Sequence, residues 1–257
     1  MPLFLAGWLK INRKSGRLHA EREDEEIMSI QENIAKVREK MAAAAREAGR
    51  NPEEILLIGA SKMNDTAACR EAIAAGVDAL GENRVQEMTA KLEEHAYDGA
   101  PLHFIGHLQR NKVRQVVGRV SLIQSAGSLE LLSEIEKAAA NKHLIQDVLL
   151  EVNIGEEAAK SGFLPGEIFQ GAENALNLPH IRVRGLMTIP PADASPEENR
   201  RYFDQVWRLF VDINEKMYDN SFEYLSMGMS GDYEEAIRSG ATMVRVGTAI
   251  FGGRHYT

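Results

Sequence analysis

Residues 243–252, MVRVGTAIFG, form an apolar strand pattern that passes directly into a glycine–threonine turn and a short helical pattern. A second glycine-rich turn lies just upstream, within residues 225–237, LSMGMSGDYEEAI. Glycine-rich turns after the last two strands are typical of a closed (β/α)₈ barrel, which commonly builds a phosphate site there. An open dinucleotide-binding sheet instead carries G-x-G-x-x-G after its first strand, and no such motif follows residues 55–61, ILLIGAS. The two turns therefore favour a closed barrel.

Strand and helix patterns alternate along the rest of the chain. Ser29 and Glu32 form an S-x-x-E capping box, and apolar residues recur at helical spacing as far as Ala45, which predicts a helix ahead of the first strand. Further strands are predicted at 77–81, 102–106, 120–125, 146–153, 181–189, 223–227 and 242–246, and helices at 66–75, 84–95, 109–118, 128–141, 166–177, 196–218 and 232–239. Such alternation gives right-handed crossovers and a parallel sheet. We predict an α/β fold, a single (β/α)₈ TIM barrel with an extra N-terminal helix.

Composition narrows the classes of partner. Among the 257 residues, Lys and Arg total 30 and Asp and Glu total 38, so the net charge of −8 offers no general attraction to nucleic acid or anionic lipid. No apolar run approaches the ~20 residues that span a bilayer. Cys69 is the only cysteine, which excludes an intrachain disulfide or a cysteine-based zinc cluster and suits a reducing cytoplasm. We expect a cytoplasmic protein with neither nucleic acid nor membrane as a partner, and one that holds any phosphate ligand locally.

The first 27 residues differ from the rest of the chain. They contain five Lys or Arg and five Asp or Glu and end in the block EREDEE (21–26) and Ile27, directly before Met28. One interpretation is a translated ribosome-binding region with Met28 as the native start, and the other is a disordered natural extension. We therefore divide the chain into an N-terminal extension, residues 1–27, that is disordered or not native, and a barrel domain, residues 28–257. The intact mass of protein from the native host distinguishes the two interpretations.

Lys62 ends the first predicted strand, in the motif GASK, and Asp65 is placed to cap the next helix. A barrel strand delivers its last side chain to the open carboxyl-end face, where active sites lie. Partial desolvation by apolar walls there favours the neutral amine that attacks aldehydes, so Lys62 is a candidate for Schiff-base chemistry. The alternative is an ordinary solvated lysine at a strand end, and position alone leaves both open.

The two late turns are candidates for an anion site. Asp232 and Glu235 are spaced as a capping pair for the helix after the first turn. Residues that turn the backbone tightly or expose N–H groups to an anion are Gly228, Ser230 and Gly231 in the first turn, and Gly247 and Thr248 in the second. Side by side, these turns would cradle a phosphate. Alternatively, the glycines merely fit tight βα turns.

Arg245 is a charged residue in an otherwise apolar strand. A buried guanidinium needs a partner, either a structural ion pair or a ring nitrogen of a ligand. A permanently charged donor would keep a pyridine nitrogen unprotonated and weaken the ring as an electron sink.

Asn83 and Gln86 follow the second strand, where they would cap a helix or line a pocket. His103 and His107 lack a third ligand, so we predict no metal site.

Seven motifs in order resemble the pyridoxal 5′-phosphate (PLP) homeostasis protein family. This family, also described as proline synthetase co-transcribed homologues, has a fold similar to the N-terminal barrel domain of alanine racemase. The motifs are GASK (59–62), GENRVQE (81–87), HFIGHLQRNK (103–112), KSGF (160–163), RGLMTIPP (184–191), LSMGMSGDYEEAI (225–237) and ATMVRVGTAIFG (241–252). The resemblance covers residues 29–254. Met63 and SAGS (125–128) depart from the family's usual threonine and SVDS-like turn, which leaves pocket shape and ligand preference open.

The resemblance implies a role for each candidate residue. Lys62 would carry PLP as a Schiff base, and Arg245 would face its pyridine nitrogen. Asn83 would line the cofactor pocket. The phosphate would be bound by Ser230, Gly231, Gly247 and Thr248.

The resemblance also implies a function. We predict a monomeric PLP-binding protein that acts in intracellular PLP (vitamin B6) and amino-acid homeostasis, delivers PLP to PLP-dependent apoenzymes, and has no catalytic residues and no efficient catalysis. The main alternative is a fold-type III PLP enzyme, a racemase or decarboxylase. Racemisation needs an acid/base group on each face of the external aldimine. Alanine racemase takes the second group from a partner subunit with an added β-domain. We expect no sequence beyond Thr257 for such a domain. A phosphate-sugar barrel enzyme without PLP is a third possibility.

Overall fold

Eight parallel strands close into a barrel in the computed structural model, which describes residues 28–253. The strands are β1 Leu56–Ala60, β2 Ala79–Glu82, β3 Leu102–Phe104, β4 Leu122–Ala126, β5 Gln146–Val152, β6 Ile181–Thr188, β7 Tyr224–Ser226 and β8 Met243–Val246. Each strand pairs with the next, and β8 closes the barrel by pairing with β1 in a register that places Ile58 beside Arg245. The predicted (β/α)₈ fold is confirmed. The predicted extension, residues 1–27, lies outside the described residues.

Helices follow the strands as the sequence predicts. They are α1 Ile30–Glu47, α2 Thr66–Ala74, α3 Val85–Glu93, α4 Val113–Val116, α5 Leu129–Asn141, α6 Ile168–Leu176, α7 Pro196–Met217, α8 Tyr233–Arg238 and α9 Thr248–Phe251. The helix predicted at 109–118 is shorter than expected. It consists of a 3₁₀ turn, Arg110–Lys112, followed by α4, because the backbone becomes extended at Val117 and turns left-handed at Gly118, with φ +74°.

The extra N-terminal helix, α1, begins with the predicted capping box. The Ser29 hydroxyl accepts from the Glu32 N–H at 3.2 Å, and the Glu32 carboxylate accepts from the Ser29 N–H at 2.9 Å. The helix packs against α2, α8 and α9. Asn33 also donates to the Ile250 carbonyl at 2.9 Å. The first and last helices are thereby held together on the outside of the β1–β8 seam.

The apolar core has two separate parts. The larger part lies between the ring of helices and the outer face of the strands, and it includes Cys69, which is fully buried. The smaller part fills the barrel interior with Ile58, Ala79, Leu122, Leu149, Met187 and Met243. Because the interior is packed with side chains, ligand space is confined to the ends of the barrel. Within residues 28–253, no helix combines the length and apolar character needed to cross a membrane.

Candidate functional site

A cavity of about 820 Å³ lies at the carboxyl ends of the strands, a volume within the usual range for small-molecule sites. The sequence-predicted residues Lys62, Asn83, Ser230, Gly231, Arg245, Gly247 and Thr248 all line it. The fold therefore brings together residues from both ends of the chain. This placement follows from barrel closure, since β1 and β8 are neighbours.

Lys62 leaves β1 through a tight turn. The Asn64 N–H donates to the Ser61 carbonyl at 3.1 Å, and the Asn64 amide donates to the Lys62 carbonyl at 3.1 Å. Met63 lies between them with a left-handed φ of +64°. Asp65 then caps α2, as predicted, by accepting from the Ala68 N–H at 2.8 Å. Lys62 itself is partly buried at the cavity wall.

The two late turns lie side by side, joined by one hydroxyl. The Ser230 Oγ accepts from the backbone N–H groups of Gly247 at 3.2 Å and Ala249 at 3.3 Å. No atom lies within 4 Å of the position that a Cβ would take at Gly231, so this part of the wall is open. Backbone N–H groups, a hydroxyl and open space are what an anionic group needs. The residues present therefore fit a phosphate.

Asp232 does not cap α8 as the sequence predicted. Its Oδ1 accepts from the N–H of Met229 at 2.6 Å, and the helix has no side-chain cap bond at this residue. The predicted capping pair with Glu235 is therefore wrong, because the carboxylate faces back into the preceding turn. Burial raises the pKa of Asp232. The residue thus stabilises the turn that carries Ser230.

Arg245 points its guanidinium into the barrel, where only 3% of the residue is exposed. It donates to the Ser226 hydroxyl and, at 2.9 Å, to the Thr188 carbonyl. Within the described part of the chain it forms no salt bridge within 4 Å, although the carboxylates of Asp232 and Glu151 lie near enough to act on its charge. Burial lowers the pKa of Arg245 to about 10, and the side chain remains charged at neutral pH. A buried cation bonded to neutral acceptors fits a ligand with an electron-rich ring nitrogen.

A chain of hydrogen bonds continues from Arg245 across the barrel interior. The Ser226 hydroxyl donates to the Gln124 Oε1 at 2.7 Å, and the Gln124 Nε2 lies 3.0 Å from Nδ1 of His103. Burial lowers the pKa of His103 to about 4, so the imidazole is neutral and Nδ1 accepts from the amide. From the sequence, His103 was a candidate only for metal binding. Its position places it in the polar support of Arg245 instead.

Asn83 supplies an unsatisfied oxygen. Its Oδ1 is buried without a hydrogen-bond partner, and the cap position of α3 is Arg84, which has no side-chain cap bond. The helix-cap interpretation of Asn83 is therefore wrong. A buried oxygen that lacks a donor is costly, and a hydroxyl or N–H on a ligand would satisfy it.

Several residues of the cavity wall were not predicted from the sequence, and Glu151 is the most informative of them. Only 9% of Glu151 is exposed, and its Oε2 accepts from the Ser161 hydroxyl at 3.0 Å. Burial raises the pKa of Glu151, although Ser161 and nearby cations oppose the shift. Lys160 also lines the wall and pairs with Glu157. Charged residues interrupt the strand 146–152 at Asp147 and Glu151, the same indication that drew attention to Arg245, and it would have selected Glu151 together with Asp147.

Comparison with known proteins places the chain in a family. Residues 26–255 match the family described as alanine racemase, N-terminal domain. The chain is 42% identical over 229 residues to the pyridoxal phosphate homeostasis protein of Aquifex aeolicus, an alignment that covers 89% of this chain and 100% of that protein. This chain belongs to the pyridoxal phosphate homeostasis protein family. The pyridoxal phosphate homeostasis protein of Escherichia coli K12 is 39% identical over 232 residues, covering 89% of this chain and 98% of its own.

Solved structures agree with membership of the pyridoxal phosphate homeostasis protein family. The structure of PipY from Synechococcus elongatus with PLP bound superposes with a TM-score of 0.76 at 31% identity, covering 87% of this chain and 100% of PipY. Alanine racemase from Clostridium difficile superposes with a TM-score of 0.67 at 16% identity, covering 89% of this chain and 57% of the enzyme. The second likeness concerns the fold alone. Together with the match to curated relatives, these results confirm the resemblance inferred from the motifs.

Proposed function

We propose that this chain binds PLP, carries it as a Schiff base on Lys62, and acts as a monomer in cytoplasmic PLP (vitamin B6) and amino-acid homeostasis. The observation that carries the proposal is the single cavity that Lys62 shares with the two late turns and Arg245. Family membership and the PLP-bound structure of PipY support the choice of cofactor. Efficient catalysis is not part of the proposed role.

The phosphate end of the ligand is assigned to the two late turns. Ser230 and Gly231 lie on the first turn, and Gly247 and Thr248 lie on the second. The hydroxyls of Ser230 and Thr248 and the backbone N–H groups of these turns would bind the dianion by charge-assisted hydrogen bonds. With a net charge of −8, the chain offers no general attraction to an anion, so this local cup has to supply the affinity.

The ring end is assigned to Arg245 and Asn83. Arg245 remains charged and would donate to the pyridine nitrogen, and the unsatisfied Oδ1 of Asn83 would accept from the ring hydroxyl. A guanidinium does not give up its proton, so it keeps the ring nitrogen unprotonated. The ring then stabilises a carbanion poorly, which favours holding the cofactor over transforming an amino acid.

Lys62 links the cofactor to the protein. Bound PLP would supply an aldehyde carbon, with which the Lys62 amine would form a C=N bond with the release of one water. An incoming primary amine could take the place of Lys62 in the C=N bond, which would return the lysine to its amine form and detach the cofactor from the chain. Apoenzymes that need PLP are the recipients we propose.

A second candidate function rests on Glu151. A buried carboxyl with a raised pKa in the cavity wall is suited to move a proton, as a fold-type III racemase or decarboxylase would require. Steady-state assays across amino acids distinguish the two functions. Turnover on the order of 10 per second, typical of enzymes, would favour the enzyme.

The decisive experiment is reductive mapping of the Schiff base. PLP-saturated protein is reduced with borohydride, digested and mapped, and we expect the pyridoxyl adduct on Lys62 and no chromophore in Lys62→Ala. Lys160→Ala is the matched control, because Lys160 is a second lysine in the same wall. It should retain the adduct on Lys62. An adduct on Lys160, or a protein that stays colourless with PLP, would overturn the proposal.

A further inference from the structure

A buried lysine on α3 lies directly beneath the turn that carries Lys62. Only 7% of Lys91 is exposed, yet its ammonium group makes three hydrogen bonds. It donates to the Ser61 carbonyl at 2.9 Å, to the Glu82 Oε1 at 2.7 Å and to the Glu87 Oε1 at 2.8 Å. An ammonium group has three protons, so these acceptors account for all of its donors.

The acceptors of Lys91 are themselves tied to the same turn. The Glu87 Oε1 also accepts from the Met63 N–H at 2.5 Å. The Glu82 Oε1 accepts from the Ser61 hydroxyl at 2.8 Å and from the Tyr97 hydroxyl at 3.1 Å. We call Lys91, Glu82 and Glu87 the α3 clamp.

The α3 clamp holds Lys62 from both sides. The Ser61 carbonyl belongs to the peptide group before Lys62, and the Met63 N–H belongs to the peptide group after it. The two peptide groups bonded to the Lys62 Cα are therefore both fixed to α3. The clamp bonds to the backbone on either side of Lys62. Because a lysine side chain is long, a small rotation at the Lys62 Cα becomes a large displacement of its amine.

The turn needs such a restraint because its backbone is strained. Met63 has φ +64°, a conformation that a long non-glycine side chain rarely adopts, and its side chain is exposed and supplies no burial in return. A buried ion pair is also a poor source of stability compared with apolar packing. The α3 clamp is thus better explained by the geometry it imposes than by the stability it adds.

We propose that Lys91 is a positioning residue, which sets the direction of Lys62 toward the cavity through the two peptide groups that flank it. Glu87 and Glu82 act with it as the second and third members of the α3 clamp. This inference rests on the proposed function, since it concerns how readily Lys62 captures PLP. It predicts that the clamp governs covalent capture and leaves the binding of ring and phosphate unchanged.

Two measurements separate these steps. The first is the rate constant for capture of saturating PLP, followed by absorbance and fixed with borohydride. The second is the Kd for pyridoxine 5′-phosphate, which has the same ring and phosphate but an alcohol in place of the aldehyde. In Lys91→Met we expect capture to slow at least tenfold, while the Kd for the analogue changes less than twofold. Lys142→Met is the control, because Lys142 also donates to backbone carbonyls, at Val117 and Arg114, far from Lys62 along the barrel.

A pair of variants at Glu87 tests the clamp without disturbing the buried Glu82. Glu87→Ala removes the acceptor of the Met63 N–H, and we expect slower capture and faster hydrogen exchange at that N–H. Glu87→Gln keeps an oxygen in place, and we expect it to restore both values toward wild type. This pair also carries the test if Lys91→Met fails to fold.

The outcomes are distinct. Capture at the wild-type rate in Lys91→Met, or in Glu87→Ala, would overturn the positioning role. A parallel loss of capture and of analogue binding would overturn it too, because it would show general damage to the cavity. If the wild-type protein itself forms no reducible bond at Lys62, the proposed function fails and the inference fails with it.

Discussion

Replacing Gly106 by alanine tests how closely the third loop of the barrel supports Asn83. Gly106 follows β3 and lines the cavity. A Cβ built there would lie 2.4 Å from the Asn83 carbonyl oxygen and 2.5 Å from its Cα. Real Cβ atoms essentially never approach closer than 3.0 Å, so the two backbones must separate by the difference, about 0.6 Å. Since both partners are backbone atoms, no rotamer change absorbs the clash.

The size of the effect follows from this displacement. Overpacking of a close contact costs about 1–3 kcal/mol. In a domain of this size, 1 kcal/mol lowers Tm by roughly 2–4 °C, so we expect Gly106→Ala to melt roughly 2–12 °C below wild type. The same shift moves Asn83 in the cavity wall. Because a displacement of ~1 Å at a reacting centre can cost 10²-fold, we expect PLP capture to slow by about tenfold.

Gly166→Ala is the matched control for Gly106→Ala. No atom lies within 4 Å of its Cβ position, so its Tm should stay close to that of wild type. Thermal unfolding followed by circular dichroism gives Tm, and absorbance gives the rate of capture. If Gly106→Ala melts with the wild type and captures PLP at the same rate, the close approach of the two loops does not support Asn83 and the argument is refuted.

Three further predictions concern the phosphate turn, the barrel interior and the N-terminus. Gly231→Ala should leave Tm unchanged, because nothing lies within 4 Å of its Cβ position. It should weaken the affinity for pyridoxine 5′-phosphate, measured by calorimetry. Unchanged affinity would count against a phosphate at this turn. Burial lowers the pKa of His103 from 6.5 to about 4, so between these pH values the unfolded chain binds a proton that the native chain does not. The free energy of unfolding should therefore fall by up to about 3 kcal/mol as the pH drops through this window. Urea titrations of His103→Gln should lack this dependence on pH. An identical dependence in both proteins would contradict its assignment to His103. We also propose that residues 28–257 form the functional domain. A chain beginning at Met28 keeps the Ser29 cap and should match the full chain in Tm and in the rate of PLP capture. A lower Tm or slower capture would give residues 1–27 a role.

Much of the fold could be predicted because each element has a local cause. Apolar runs between turn residues marked the buried strands, and the caps at Ser29 and Asp65 marked two helix starts that the structure confirms. Closure of the barrel then determined which distant residues meet. Lys62 and Arg245 share a cavity because β1 pairs with β8. This pairing follows from the order of the strands, since the first and last strands of a closed barrel are neighbours.

Side-chain direction was harder to predict than backbone. Asn83 and Asp232 each precede a helix at a spacing typical of a cap, yet one points an unsatisfied oxygen into the protein and the other bonds back to Met229. Glu87 and Lys91 have the i,i+4 spacing of an exposed helical pair. The structure buries Lys91 instead, because α3 packs beneath the β1 turn. In each case the deciding contact comes from a segment distant in sequence.

The site is held from two independent directions. Lys62 is fixed from outside the barrel by the α3 clamp, and Arg245 is fixed from inside by the chain through Ser226 to His103. Both supports consist largely of buried polar groups. Such groups contribute less stability than apolar packing at the same positions would. Groups that are already ordered lose little further freedom when a ligand arrives, so affinity is gained without adding contacts. A protein that holds an aldehyde firmly and releases it by exchange with an amine would benefit from this arrangement, because the groups that flank the cofactor are in place before it binds.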